Sequence, residues 1–85
     1  MATLRQRFGH RLRQIRLSRQ MSQERFAEKL GISVDFLSLI ERGRNAPSFE
    51  TLDQIATRLR LPVAELFTFD GLGGRTPLRS PSMRR

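Results

Sequence analysis

The feature that most restricts this chain is a pair of short amphipathic stretches held only two residues apart. Gln23–Leu30 places Phe26, Ala27 and Leu30 at helical spacing, and Ser33–Arg42 does the same with Phe36, Leu37 and Ile40. Only Gly31-Ile32 lies between them. That link is too tight for an antiparallel hairpin, so the two helices must cross. The residues around the link suit a crossing. Ala27 is small and lets the second helix approach the first. Gly31 can take the positive φ of a sharp turn at little cost. Ile32, Leu37 and Ile40 are then left to plug the pair onto a core. Ser22 and Ser33 are good N-caps, each offering a hydroxyl to an orphan backbone N–H. Glu24 suits the positive end of its helix dipole. Arg25 stands where the reciprocal acid of a capping box would be, so no box is expected there.

The rest of the first 69 positions repeats apolar residues at intervals of three and four, and no strand pattern interrupts them. Leu4, Phe8, Leu12 and Ile15 form the stripe of a first helix ending near Ser18–Gln20. After Gly43, the run Arg44-Asn45-Ala46-Pro47 reads as a loop, because Pro47 disfavours helix at Ala46. Ser48 caps a fourth helix carrying Leu52, Ile55, Ala56 and Leu59. Pro62 suits the first turn of a short fifth helix with Val63, Leu66 and Phe67. The expectation is an all-α, compact five-helix domain over residues 1–69. From Asp70 the composition changes to Gly-Leu-Gly-Gly, Thr-Pro, Ser-Pro and four arginines. Residues 70–85 therefore read as a flexible basic tail.

At 85 residues the chain holds one domain at most, and it has no Cys to staple it. Helix packing or a partner chain must supply its stability. No apolar run approaches the length of a membrane span, and the N-terminus lacks the apolar core of a secretory signal. A cytoplasmic protein with no membrane association is expected. The net charge of +8 favours a polyanionic partner. The charge is concentrated at the ends: residues 1–20 carry six Arg and no acid, whereas residues 21–69 are almost balanced. The helix 1 arginines read first as a solvated face that can also raise the local concentration of a polyanion. No nucleophile–base pair, phosphate-cradling Gly loop or metal set is evident. His10 is the only His, with no Cys and no nearby acid on its helix. No catalysis, cofactor or metal is expected.

Two segments carry a resemblance. Ser22-Gln23-Glu24-Arg25-Phe26-Ala27-Glu28-Lys29-Leu30-Gly31-Ile32-Ser33, followed by Leu37-Ser38-Leu39-Ile40-Glu41-Arg42-Gly43-Arg44-Asn45-Ala46-Pro47-Ser48, resembles the phage repressor and Cro (Xre-type) family of helix-turn-helix proteins. The likeness runs from about Gly9 to Phe67. It implies a repressor-like domain that binds double-stranded DNA, usually as a homodimer, with the Ser33–Arg42 helix in the major groove. It further implies a sequence-specific transcriptional regulator, a repressor or autoregulator. By this correspondence Ser33, Val34, Asp35, Ser38 and Leu39 face the bases. Gln23 reaches a phosphate at the start of its helix, and Arg42, Arg44 and Asn45 hold the backbone beyond the other end. Arg16 and Glu41 match positions that pair across helices 1 and 3.

The reading face departs from the family habit of Gln, Arg, Lys or Asn. Neither Val34, Asp35, Ser38 nor Leu39 can make a bidentate Arg–guanine or Gln–adenine contact. Asp35 can accept from a cytosine amine, and Val34 or Leu39 can pack on thymine methyls. Direct readout is therefore expected to be weak. The alternative is a protein-interaction module, or an antitoxin-like partner-binding regulator with weak DNA specificity, that uses the third or the fifth helix on a protein partner. Phe67 and Phe69 fit either a core edge or a dimer contact.

Overall fold

A computed structural model describes residues 1–69 of the chain. The expected basic tail at 70–85 lies outside the described residues. The elements in order are α1 (Leu4–Ser18), α2 (Gln23–Leu30), α3 (Val34–Glu41), α4 (Phe49–Leu59) and a 3₁₀ turn over Val63–Phe67. The expected fifth α-helix is thus a single tight turn. Five residues after a proline cannot repay the cost of nucleating an α-helix. The segment closes instead through i→i+3 bonds such as Glu65 N–H to the Pro62 carbonyl at 2.9 Å. It still delivers Leu66, fully buried, into the core.

Each α-helix begins on a hydroxyl cap. Ser22, Ser33 and Ser48 accept from the N–H of Arg25, Phe36 and Thr51. At α1, Thr3 and Gln6 form a reciprocal capping box of 3.1 and 2.9 Å, which the apolar pattern alone does not reveal. α2 ends at Gly31, with φ 77° and ψ 27°, in the left-handed region. Side chains of α4 hold this turn: Gln54 donates to the carbonyls of Leu30 and Gly31 at 2.7 and 3.2 Å, and Arg58 to that of Lys29 at 3.2 Å. The orphan carbonyls at the end of α2 are satisfied in this way, and the direction of α3 is set.

The core gathers Phe8, Leu12 and Ile15 from α1, Phe26, Ala27 and Leu30 from α2, Leu37 and Ile40 from α3, and Ile55, Ala56 and Leu59 from α4, with Leu66 beneath. Leu4, expected in the helix 1 stripe, is 54% exposed because the first turn of α1 overhangs the core. One close approach fixes α3 against α1. Gly9 is buried where a Cβ would meet the Ile40 carbonyl oxygen at 2.0 Å, so the α3 backbone rests directly on α1.

The arginines of α1 depart from a purely solvated face. Arg11 donates to the Glu65 carbonyl at 2.9 Å and approaches its carboxylate at 3.4 Å. Arg19 donates to the Leu59 carbonyl at 3.0 Å, and Arg7 lies 5.3 Å from the centre of the Phe69 ring. Together with Arg16, described below, these side chains tie α1 to the 3₁₀ turn, to the end of α4 and to α3. Sequence alone cannot separate this use from solvation, because both leave Arg at helical spacing beside an apolar stripe. Among the described residues, no helix is long and apolar enough to cross a membrane.

Candidate nucleic-acid interface

The surface around α3 is built from three neighbouring segments. α3 itself opens at Ser33, whose hydroxyl is occupied in capping Phe36 N–H at 3.0 Å. Val34 and Asp35 are exposed on its first turn, and Ser38 and Leu39 are half-buried one turn further on. Val34 is 36% exposed, so an apolar side chain stands in solvent at the mouth of the helix. Asp35 sits in the first turn, where a carboxylate is favoured by the helix dipole. The local reason for its presence is thus helix stability as well as any contact with bases.

Beyond the other end of α3, Gly43 N–H bonds the Ile40 carbonyl and Arg44 N–H the Leu39 carbonyl, each at 2.9 Å. The chain therefore turns sharply and presents Arg42, Arg44 and Asn45, all exposed. Arg42 folds back weakly on the Ser38 carbonyl at 3.4 Å. The Asn45 side-chain oxygen accepts from Ala46 N–H at 2.8 Å, which leaves its NH₂ group as the outward donor. Among the described residues, no side chain forms an ion pair with Arg42 or Arg44.

The third segment is the start of α2, where Gln23 is the first helical residue. It is half-buried, and its amide donates to Glu41 Oε1 at 3.0 Å. That contact joins it to the more deeply buried of the two ion pairs among the described residues. Arg16 Nε donates to Glu41 Oε2 at 2.8 Å and Arg16 Nη2 to Glu41 Oε1 at 3.0 Å, a bidentate fork. Arg16 Nη1 also donates to the Met21 carbonyl at 3.0 Å. The two side chains are only 10% and 3% exposed. The hydrogen bonds that Arg16 donates to Glu41 raise its pKa above the ordinary value, against the lowering effect of burial. Arg16 therefore stays charged at any working pH. The pair links the end of α1, the α1–α2 turn and the end of α3. The Gln23–Glu41 bond was not legible in the sequence, since the two residues lie eighteen positions apart and neither periodicity nor capping relates them.

These features define a helix-turn-helix: a crossed pair α2–α3 on a packed frame, with the exposed face of α3 flanked by the N-terminus of α2 and a basic loop. Among the described residues there is no group of three or more His, Asp or Glu able to hold a metal ion.

The chain belongs to the helix-turn-helix family HTH_3, whose model matches residues 12–66. It is 41% identical over 59 residues to the HTH-type transcriptional regulator YazB of Bacillus subtilis, covering 69% of this chain and 86% of that protein. It is 38% identical over 58 residues to the immunity repressor protein of Bacillus phage phi105, covering 68% of this chain but only 40% of the repressor. Among solved structures it is similar to the restriction-modification controller protein C.AhdI of Aeromonas hydrophila. There the TM-score is 0.69 and the identity 33%, with 74% of this chain and 91% of that one covered. The three are named as an HTH-type transcriptional regulator, an immunity repressor and a controller protein, in line with the phage-repressor resemblance of the α2–α3 segment. The chain spans less than two thirds of some of them, the phage repressor included.

Proposed function

We propose that this protein is a DNA-binding transcriptional regulator that acts by occupying DNA, with α3 seated in the major groove. One observation carries the reading: side-chain donors gather around the C-terminal end of α3, beside its exposed face. Gln23, at the N-terminus of α2, reaches Glu41 in the last turn of α3, and the exposed Arg42, Arg44 and Asn45 follow directly after it, a set of donors suited to phosphates. In this pose Val34, Asp35, Ser38 and Leu39 lie toward the base edges, with Ser33 at the mouth of the helix. Val34 and Leu39 suit thymine methyls and Asp35 a cytosine amine. Most of the affinity then comes from the backbone contacts, and sequence choice leans on DNA shape and half-site spacing. The role needs no catalysis and no cofactor, and it places the protein in the cytoplasm.

A homodimer on DNA belongs to the same proposal. Phe49 is 85% exposed at the start of α4. It lines an apolar groove of about 340 Å³ together with Leu4, Phe8, Pro47, Leu52 and Phe67. A projecting ring beside a hollow on one patch is self-complementary, as a two-fold interface requires. Arg5 on one wall and the exposed Glu50 next to Phe49 offer opposite charges for such a pairing. The reading with a protein partner in place of DNA is favoured only by the apolar Val34 and Leu39.

A salt titration of binding to a random-sequence duplex separates the two. Contacts with phosphates make log affinity fall linearly with log salt. Arg44→Ala should weaken binding to all duplexes alike and reduce the salt slope by about 1. Unchanged affinity and slope would remove the groove-docking model.

A further inference from the structure

The amide of Gln23 is tied to a charged partner on α3. It is held by the carboxylate of Glu41 at 3.0 Å, and that carboxylate is itself clamped by Arg16 at 2.8 and 3.0 Å. We infer that Glu41 is a positioning residue for DNA binding: it fixes the Gln23 amide with a donor turned to the phosphate backbone. The inference rests on the proposed docking of Gln23 against DNA.

The chemistry follows from donor and acceptor counting. An ionised carboxylate only accepts, so it selects the NH₂ end of the amide and excludes the carbonyl end. One N–H of Gln23 is spent on Glu41, and the second remains for a phosphate oxygen, which also only accepts. A loose glutamine would offer its carbonyl oxygen to the phosphate in part of the population, and that contact is repulsive. The buried negative charge needed for this selection would itself repel DNA. Arg16 neutralises it in place, with both side chains almost wholly buried. The Arg16–Glu41 pair thus joins two tasks, locking α1 to α3 and orienting a side chain of α2 at the rim of the groove.

Replacing Glu41 by Gln keeps the size of the side chain but adds a donor, so Gln23 gains two competing orientations. Apparent affinity falls by the fraction of molecules that hold the competent one. The test is a double-mutant cycle on the whole chain, with affinity for a short random-sequence duplex read at fixed low salt and folding checked by circular dichroism. Gln23→Ala should weaken binding. Glu41→Gln should weaken it roughly three- to tenfold in the native background and not further in the Gln23→Ala background. If Glu41→Gln costs the same factor in both backgrounds, or costs nothing in the native one, its role is structural and the inference is overturned. If Gln23→Ala leaves affinity unchanged, the phosphate contact itself is wrong, which is a different failure.

Should Glu41→Gln not fold, Glu41→Asp carries the same cycle, because the shorter carboxylate withdraws from Gln23. Independently, NMR of the native protein should show the two Gln23 side-chain amide protons with unequal exchange, the Glu41-facing one protected. Equal, fast exchange would overturn the orientation.

Discussion

Gly9→Ala is the substitution that most directly probes how α3 is held. In a helix interior the change should help, since alanine is better than glycine there by about 0.5–1 kcal/mol. The structure opposes this gain. A Cβ at position 9 would lie 2.0 Å from the Ile40 carbonyl oxygen and 3.1 Å from that of Glu41, where ordinary contact begins at 3.4 Å. α3 would have to retreat by roughly 1.4 Å at that point. The obstacle is backbone, so no side-chain rotation can relieve it. Retreat would also pull Leu37 and Ile40, both fully buried, away from the core, and would stretch the Arg16–Glu41 fork. Overpacking of a tight core costs about 1–3 kcal/mol, and a contact this short belongs at the upper end. A net loss of about 2 kcal/mol remains after the helix gain, corresponding to roughly 8–16 °C in melting temperature for a domain of this size. Thermal melting followed by circular dichroism, with a urea titration at constant temperature, measures it. A variant as stable as the native protein would refute the argument that α3 rests on α1 at this glycine.

Three further outcomes are expected. Arg60 ends α4 with φ 59° and ψ 41°, a left-handed conformation costly for a residue with a Cβ. Arg60→Gly should therefore raise stability by about 0.5–1 kcal/mol in chemical denaturation. Glu41→Ala leaves the Arg16 guanidinium buried without its carboxylate and should lower stability by about 3 kcal/mol, visible as a clear drop in melting temperature. Phe49→Ser should shift any dimer toward monomer in analytical ultracentrifugation with little change in melting temperature, because the ring is 85% exposed and contributes little to the fold.

The reading face shapes what kind of regulator this chain can be. Arg42 and Arg44 carry charge but stand beyond the end of α3, where the proposed docking turns them to the DNA backbone and not to bases. The positions proposed to face bases are small, apolar or acidic. Single base changes in a site should then cost less than the 1–3 kcal/mol of a good bidentate contact, while changes in half-site spacing or in groove width should matter more.

Local chemistry was sufficient for much of this molecule. Serines ahead of apolar stripes determine where α2, α3 and α4 begin, because a hydroxyl cap and helical periodicity act within one turn of chain. Gly31 determines the turn between α2 and α3 for the same reason. The length of the last segment was decided by tertiary structure. Val63–Phe67 repeats apolar residues like a helix, yet five residues after Pro62 close as a 3₁₀ turn that docks Leu66. The uses of several charged and polar side chains were likewise beyond the sequence. Arg11 and Arg19 occupy equivalent-looking places on α1, and only the fold brings Glu65 and the Leu59 carbonyl to them, whereas the Arg16–Glu41 pair was expected from the family resemblance and is present. Gly9 could pass for an indifferent helix residue until the Ile40 backbone is seen lying against it. The crossed helix pair was legible from its two-residue link because steric limits on a short connection are local. The Glu41 carboxylate reached Gln23 through packing at a separation of eighteen residues, and no local rule specifies such a contact.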